Sequence, residues 1–443
     1  MRNNLFFTIS GLRGIVGESF TPELVAKISA HFGNLMNDGE IIVGRDTRKS
    51  GEMVKFAVIS GLLSAGCTPC DIGIVPTPTI LFAVKNKKSK GGIAVTASHN
   101  PPEWNALKFV KSNGTFLREG EIENLKKLLS KAPLYKRGED IKSVRNEDFL
   151  ERHLDAIFEN NNFETEKVKE KNFKVVIDAA NGAASRAAPA LLERFNCSVI
   201  KVNCDRPGEF EREPEPTSEN LVSLQKAVRE NQADIGFATD ADGDRLVIAL
   251  KEGEILSEEY TLALFVYYIL SKINTEKPII TNYSTSRMVD SVAQKYGVNV
   301  KRTKVGEAFV VEKMEEEGSV LGGEGNGGII YREINFTRDA LVGIAGILSL
   351  LYETGDSREF KNIIPRFYMK KIKVPLKKLD YEDIDKAFDL KKTVREDGIL
   401  LNFEDGFLHI RPSNTEPVIR IIGEFEEEKR LKEVFDKVMG ILK

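Results

Sequence analysis

The sequence predicts an α/β protein: three similar doubly wound α/β/α domains followed by a smaller α+β domain. Three observations carry that expectation. Strand-like runs alternate with helical runs through most of the chain, the alternation restarts three times, and the last stretch is richer in strands. Such alternation favours parallel sheets, whose ligands sit beyond the carboxyl ends of the strands.

The elements follow in order. "EIIVGRD" (40–46) reads as a strand, "EMVKFAVISGLLSAG" (52–66) as a helix and "TPCDIGIV" as the next strand. "FKVVIDAANGAAS" (173–185) leads into the helical "RAAPALLERFN" and the strand "CSVIKVN". "ADIGFATDADGDR" (233–245) runs into "LVIAL", and "KPIITNYSTS" (277–286) into the helical "RMVDSVAQKYG". "YTLALFVYYIL" (260–270) reads as a buried helix, too short to span a bilayer. The charged "LYKRGEDIKSVRNED" (134–148) marks the first boundary and the glycine-centred hairpin "LKEGEILSEE" (250–259) the second. "FKNIIPRFYMKKIKVP" (360–375) leads into a tail with a hairpin turning at Asp405-Gly406 and a final helix. The expected domains are 1–148, 149–250, 251–364 and 365–443.

Bulk properties exclude several classes. At 443 residues the chain exceeds one ordinary core. Its composition, 41% hydrophobic and 30% charged, is that of a globular protein, and a formal charge of −3 gives no reason to expect nucleic acid or an anionic membrane as partner. The four cysteines (Cys67, Cys70, Cys197 and Cys204) include one C-x2-C without a second ligand pair, so buried thiols are expected. With no disulfide framework and no signal peptide, a cytoplasmic location is expected.

The chemistry sits in loops. In "TASHNPPEWN" (96–105), two prolines rule out a helix and rigidify a polar loop that holds Ser98 at a strand's end. In "ATDADGDRL" (238–246), Asp240, Asp242 and Asp244 alternate, which in an extended segment turns three carboxylates to one side. That suits a hard, oxygen-seeking cation such as Mg²⁺, with Arg245 beside it as a phosphate ligand. A Ca²⁺ loop would want an acidic residue at its twelfth position, where this chain has Lys251; a solvated acidic turn is the bland alternative. In "LHIRPSNTEPVIR" (408–420), Arg411, Ser413, Asn414, Thr415 and Arg420 suit a dianion cradle. "GGEGNGGII" (322–330) lacks the Lys-Ser/Thr of a nucleotide loop; its glycines read as admitting a small polyol, with Glu324 accepting sugar hydroxyls and Asn326 beside it. "SGLRGIVG" (10–17) places Arg13 in a glycine-bounded turn, and in "VGRDTRKSG" (43–51) Arg45 and Arg48 read as structural partners of Asp46. A hydroxyl, a metal site, a phosphate cradle and a sugar loop in four successive units are the equipment for phosphoryl transfer on a sugar phosphate, with Ser98 as the carrier.

These motifs resemble those of the α-D-phosphohexomutases from Ser10 to about Arg420: "TASHNPPEWNALK", "DADGDR", "GGEGNGG" and "RPSNTEP", with "GIVPTPT" (73–79) and "TKVGEAFV" (303–310) as further loops. "GLRGIVGE", "PEPTSENL" and "GGEGNGG" look most like the archaeal-type phosphoglucosamine mutase branch. The resemblance implies four domains around a central cleft and an isomerase that interconverts hexose 6- and 1-phosphates. It implies a phosphoserine at Ser98, one Mg²⁺ per active site on Asp240, Asp242, Asp244 and a Ser98 oxygen, and a hexose 1,6-bisphosphate as intermediate and activator. Arg13, Lys108 and Arg245 match positions beside the reacting oxygens, with Lys108 a candidate proton shuttle. The partner implied is a small-molecule sugar phosphate, not nucleic acid or membrane; a homodimer stays open.

The chain departs from that pattern in two loops. Asn326, Gly327 and Gly328 stand where many relatives have Ser-Gly-His, and Glu307 where some have histidine. The general base is therefore unassigned, and His99 is expected to buttress the serine loop. Glu-x-Asn resembles acetylglucosamine-phosphate mutases and Glu-x-Ser the glucose and mannose enzymes, which favours glucosamine phosphate over a broad phosphoglucomutase/phosphomannomutase specificity. A sugar-phosphate phosphatase and a non-catalytic sugar-phosphate-binding protein are the remaining alternatives.

Overall fold

The computed structural model describes residues 4–375, 381–388, 393–413 and 418–441. Among these residues four sheets follow one another, of seven, four, four and five strands. In the first, Thr68–Ile74, Glu40–Arg45 and Gly91–Val95 run parallel. Trp104–Lys111, Gly11–Ile15 and Leu5–Thr8 extend it antiparallel on one side. In the second, Ser198–Val202, Lys174–Asp178 and Ile235–Thr239 are parallel and Leu246–Leu250 returns antiparallel. The third repeats that plan with Val300–Thr303, Ile279–Asn282, Leu321–Glu324 and the antiparallel Gly328–Tyr331. The C-terminal sheet is antiparallel throughout.

The alternation of strands and helices predicts parallel sheets, and the structure corrects this to mixed ones. In each of the first three sheets the strand before the chemical loop is answered by an antiparallel return. A parallel return needs a crossover of a dozen or more residues, whereas an antiparallel strand can follow a short loop. Residues 96–103, 240–245 and 325–327 are all such hairpin-type connections. Each loop is thus clamped on both sides by one ladder, which fixes its side chains more firmly than a strand-to-helix turn.

Helices cover the sheets and supply the core. Glu258–Lys272 contains the apolar run noted above, and its residues 261–266 are buried. Ala340–Thr354 is apolar on every side and buried along most of its length. It begins at Asp339, whose side chain accepts the amide hydrogens of Leu341 and Val342. Phe149, Leu191, Phe265 and Leu348 belong to one apolar cluster spanning the first three units. Ile410, Ile421 and Phe435 form a separate core in the C-terminal unit. The four cysteines are free thiols; burial pushes Cys67 and Cys204 up to about 11 and Cys197 up to about 12. Among the described residues no helix is long and apolar enough to cross a membrane.

Candidate active site

The serine loop is braced by one arginine. Arg48, 1% exposed, donates from its terminal nitrogens to the carbonyls of Ser98 (2.6 Å), Asn100 (2.6 Å), Pro101 (2.6 Å) and Trp104 (3.2 Å). Its Nε pairs with Asp46 at 3.1 Å, and Thr96 donates to the same carboxylate at 2.6 Å. Thr96 in turn accepts the Ser98 amide at 3.0 Å. This frame holds Ser98 at φ +51°, a left-handed backbone that a side-chain-bearing residue adopts at a cost of about 1–2 kcal/mol. Arg45 is turned to the Asp46 carbonyl, 2.9 Å away.

Ser98 Oγ donates to Asp240 Oδ2 at 2.9 Å, across 142 residues of sequence. The second Asp240 oxygen accepts the amides of Asp244 (3.1 Å) and Arg245 (3.3 Å). Asp242 Oδ2 accepts from Lys108 Nζ at 2.7 Å and Thr77 Oγ1 at 2.8 Å, and Asp244 Oδ2 accepts from Arg338 Nη2 at 2.5 Å. The segment is not extended as the alternation suggests. It curls through Gly243 at φ +71°, and this curl brings three carboxylate oxygens within 4.8 Å of one another.

The electrostatics follow from burial and crowding. Burial, then the charges of Asp244 and Asp242, push Asp240 well above the usual carboxylate range. Burial works the same way on Asp242, but Lys108 and hydrogen bonds hold it far below that range. Burial alone would lower Lys108, yet Asp242 and Asp244 hold its ammonium above the ordinary value. Asp242 Oδ1 and Asp244 Oδ1 are buried without a hydrogen-bond donor among the described residues. An all-oxygen set with two such atoms fits a hard divalent cation.

Two cations flank the loop. Arg245 bonds Glu215 at 3.1 Å and His99 Nδ1 at 3.1 Å. Burial and the nearby Arg245, Arg13 and Arg420 push His99 well below its ordinary value, so the ring is neutral and accepts through Nδ1. His99 thus ties the serine loop to the metal loop. Arg13 donates to Asn100 Oδ1 at 2.8 Å.

In the sugar loop, Glu324 Oε1 accepts from Asn282 (2.8 Å) and the Gly306 amide (3.1 Å), and Oε2 from Arg338 (3.0 Å) and Asn326 (3.5 Å). The glycines do not open space for a polyol. A Cβ on Gly325 would lie 1.9 Å from the Glu259 carboxylate, one on Gly327 2.4 Å from the Leu246 carbonyl, and one on Gly328 2.2 Å from Arg338. The protein's own groups fill those volumes. Lys371, from the C-terminal sheet, reaches Glu259 (2.6 Å), Glu258 (2.8 Å) and the Gly325 carbonyl (3.3 Å).

Arg411 and Arg420 form the rim of the fourth loop. Arg411 Nε pairs with Asp397 at 2.9 Å, and its Nη2 is buried without an acceptor among the described residues. The Ser413 amide bonds the Val418 carbonyl at 2.8 Å, closing the ladder before the loop. Asn414 and Thr415 lie outside the described residues. Arg13, Ser98, Lys108, Arg245, Glu324, Asn326, Arg411, Ser413 and Arg420 all line one cleft.

Models of four successive domains match this chain. Those for phosphoglucomutase/phosphomannomutase alpha/beta/alpha domains I, II and III match residues 4–136, 151–253 and 257–367, and that for the C-terminal domain matches 369–441. The chain belongs to the phosphoglucomutase/phosphomannomutase family. It is therefore a phosphohexose mutase, an isomerase. A phosphoglucomutase/phosphomannomutase of Thermococcus kodakarensis is 35% identical over 98% of each chain. A probable phosphoglucosamine mutase of Pyrococcus abyssi is 35% identical, over 99% of this chain and 98% of its own. The crystal structure of a phosphoglucomutase/phosphomannomutase family protein from Burkholderia thailandensis superposes with a TM-score of 0.86 at 27% identity, covering 99% of this chain and 96% of that one.

Within this mutase framework, two residues of the site escape the sequence reading. Thr77 lies in the noted "GIVPTPT" loop but shows its part only by bonding Asp242. Arg338 lies in no noted motif. One signal for it is legible: a cation placed directly before an apolar helix start is disfavoured by the helix dipole and so calls for a special partner.

Proposed function

We propose that this mutase interconverts glucosamine 6-phosphate and glucosamine 1-phosphate, with Ser98 as the phosphoryl carrier. The observation that carries this reading is the Ser98–Asp240 contact at 2.9 Å, which joins the nucleophile to the carboxylate loop. Asp240, Asp242, Asp244 and a Ser98 oxygen would hold one Mg²⁺. When bound, it supplies neutralisation of the charge on the transferring phosphoryl group.

In the first half-reaction the bond from phosphorus to Ser98 Oγ breaks and a bond from phosphorus to the free sugar hydroxyl forms, giving a hexose 1,6-bisphosphate. Lys108 starts protonated, so it gives its proton to Ser98 Oγ as the phosphoryl group leaves and recovers one from the attacking hydroxyl. Arg13 and Arg245 carry fixed positive charge towards the phosphoryl oxygens. The bisphosphate then turns round, and its other phosphate returns to Ser98 by the reverse steps. One cradle must serve both orientations, and Arg411, Ser413 and Arg420, with Asn414 and Thr415, are the residues assigned to it.

The amino sugar is supported by the name of the Pyrococcus abyssi relative and by the Glu-x-Asn loop. A second reading, broad action on mannose and glucose phosphates, is favoured by the name of the Thermococcus kodakarensis relative. Initial rates with Mg²⁺ and a hexose 1,6-bisphosphate, on glucosamine, mannose and glucose 6-phosphates, separate them. A clear glucosamine preference is expected; equal or faster mannose and glucose turnover would replace the first reading with the second.

A further inference from the structure

We infer that Arg338 is a positioning residue that locks the metal loop to the sugar loop, seated by Glu307 in a volume that Gly328 leaves open. The inference rests on the mutase reading above. Arg338 is 7% exposed and spends each guanidinium nitrogen on a different carboxylate. Nη2 holds Asp244 at 2.5 Å, Nη1 holds Glu324 at 3.0 Å and Nε holds Glu307 at 3.1 Å. Only a rigid, planar fork with several donors spans three acceptors in this way.

Each partner has a distinct consequence. With one oxygen fixed by Arg338, Asp244 keeps its other oxygen buried without a hydrogen bond among the described residues, 3.9 Å from Arg245 Nε. Glu324 has Oε2 fixed by Arg338 and Oε1 fixed by Asn282 and the Gly306 amide, so its orientation is fully set. Glu307 Oε1 accepts the Arg338 amide at 3.0 Å and the Thr337 hydroxyl, and Oε2 takes Arg338 Nε. Glu307 is thus engaged through both oxygens in seating Arg338.

Space is the independent observation. A Cβ on Gly328 would lie 2.2 Å from Arg338 Cδ and 2.9 Å from Cγ, so residue 328 and the arginine stem compete for one volume. Stability does not call for this arrangement, since a buried ion cluster is often matched or bettered by apolar residues of similar size. Alignment of two functional carboxylates by one cation does call for it.

The test compares R338M, R338K, G328A and the G328A/R338M pair with wild type. It measures Mg²⁺ binding by calorimetry and, separately, kcat and KM for glucosamine 6-phosphate. R338M is expected to weaken Mg²⁺ binding about 10- to 100-fold and to raise KM. G328A should show the same double defect alone but add little to R338M, because no arginine stem remains to be displaced. R338K keeps the charge but reaches one carboxylate, so Mg²⁺ affinity and KM cannot both stay at wild type; it carries the comparison if R338M does not fold. Wild-type values for R338M or R338K, or G328A and R338M losses that simply multiply, would overturn the inference. A wild-type protein that neither binds Mg²⁺ nor isomerises a hexose phosphate would instead sink the mutase reading beneath it.

Discussion

Arg411 stands directly opposite Arg420 on the two strands that carry the fourth loop. Like charges at facing positions weaken a strand pair by a few tenths of a kcal/mol to about 1 kcal/mol, and Arg411 is buried as well. A dianion between them turns that repulsion into binding. Arg420→Gln is accordingly expected to raise KM for the hexose phosphate about 10-fold or more. An unchanged KM would remove Arg420 from the cradle.

Ser98 has a left-handed backbone beside the chemical role proposed for it, and two substitutions separate them. Ser98→Ala and Ser98→Gly both lose the hydroxyl, so neither should isomerise any hexose phosphate. Glycine accepts φ +51° freely and alanine does not. The glycine variant should therefore be more stable than the alanine variant by about 1 kcal/mol in urea denaturation. Equal stabilities would mean that the loop relaxes around alanine.

The carboxylate loop predicts a stability response to metal. Mg²⁺ at a hundredfold excess over its dissociation constant should stabilise the wild type by about 2.7 kcal/mol. The response should vanish in Asp242→Asn, where one of the two unpartnered carboxylate oxygens is replaced in a neutral side chain. A full response in that variant would place the cation elsewhere.

His409 predicts an acid-sensitive junction between the third unit and the C-terminal unit. It is fully buried, its Nδ1 accepting from the Ser284 hydroxyl (2.9 Å) and its Nε2–H donating to the Asp397 carbonyl (2.7 Å). Burial, reinforced by Arg411 and opposed by Asp397, lowers it to about 4 from 6.5. The unfolded chain therefore binds a proton that the folded chain refuses, and stability falls as pH drops from 6.5 towards 4. The slope from this one group approaches 1.4 kcal/mol per pH unit, or about 3 kcal/mol over the window. Urea midpoints of wild type and His409→Asn should converge between pH 7 and pH 5, and parallel losses would contradict the assignment.

Much of this site is legible in the sequence because its chemistry is local. Ser98, the Asp240–Asp242–Asp244 run, Glu324 and Arg411 each sit in a loop whose neighbours announce a strand end, and all of these residues gather at one centre. What escapes is set by tertiary packing. The hairpin returns cannot be told from parallel ones by periodicity alone. The glycines of 325–328 serve contacts with Glu259, Leu246 and Arg338 that no local pattern contains. Arg338 meets Asp244 from 94 residues away, so its place before the helix signals a partner without saying which.

Under the proposed function, phosphate travels through Ser98. The most direct test loads the Mg²⁺-bound protein with radiolabelled hexose 1,6-bisphosphate, locates the label by peptide mass spectrometry, and then chases it with unlabelled glucosamine 6-phosphate. Label on Ser98 that passes quantitatively to the sugar is expected. Label on another residue, or release as free phosphate without isomer formation, would contradict it.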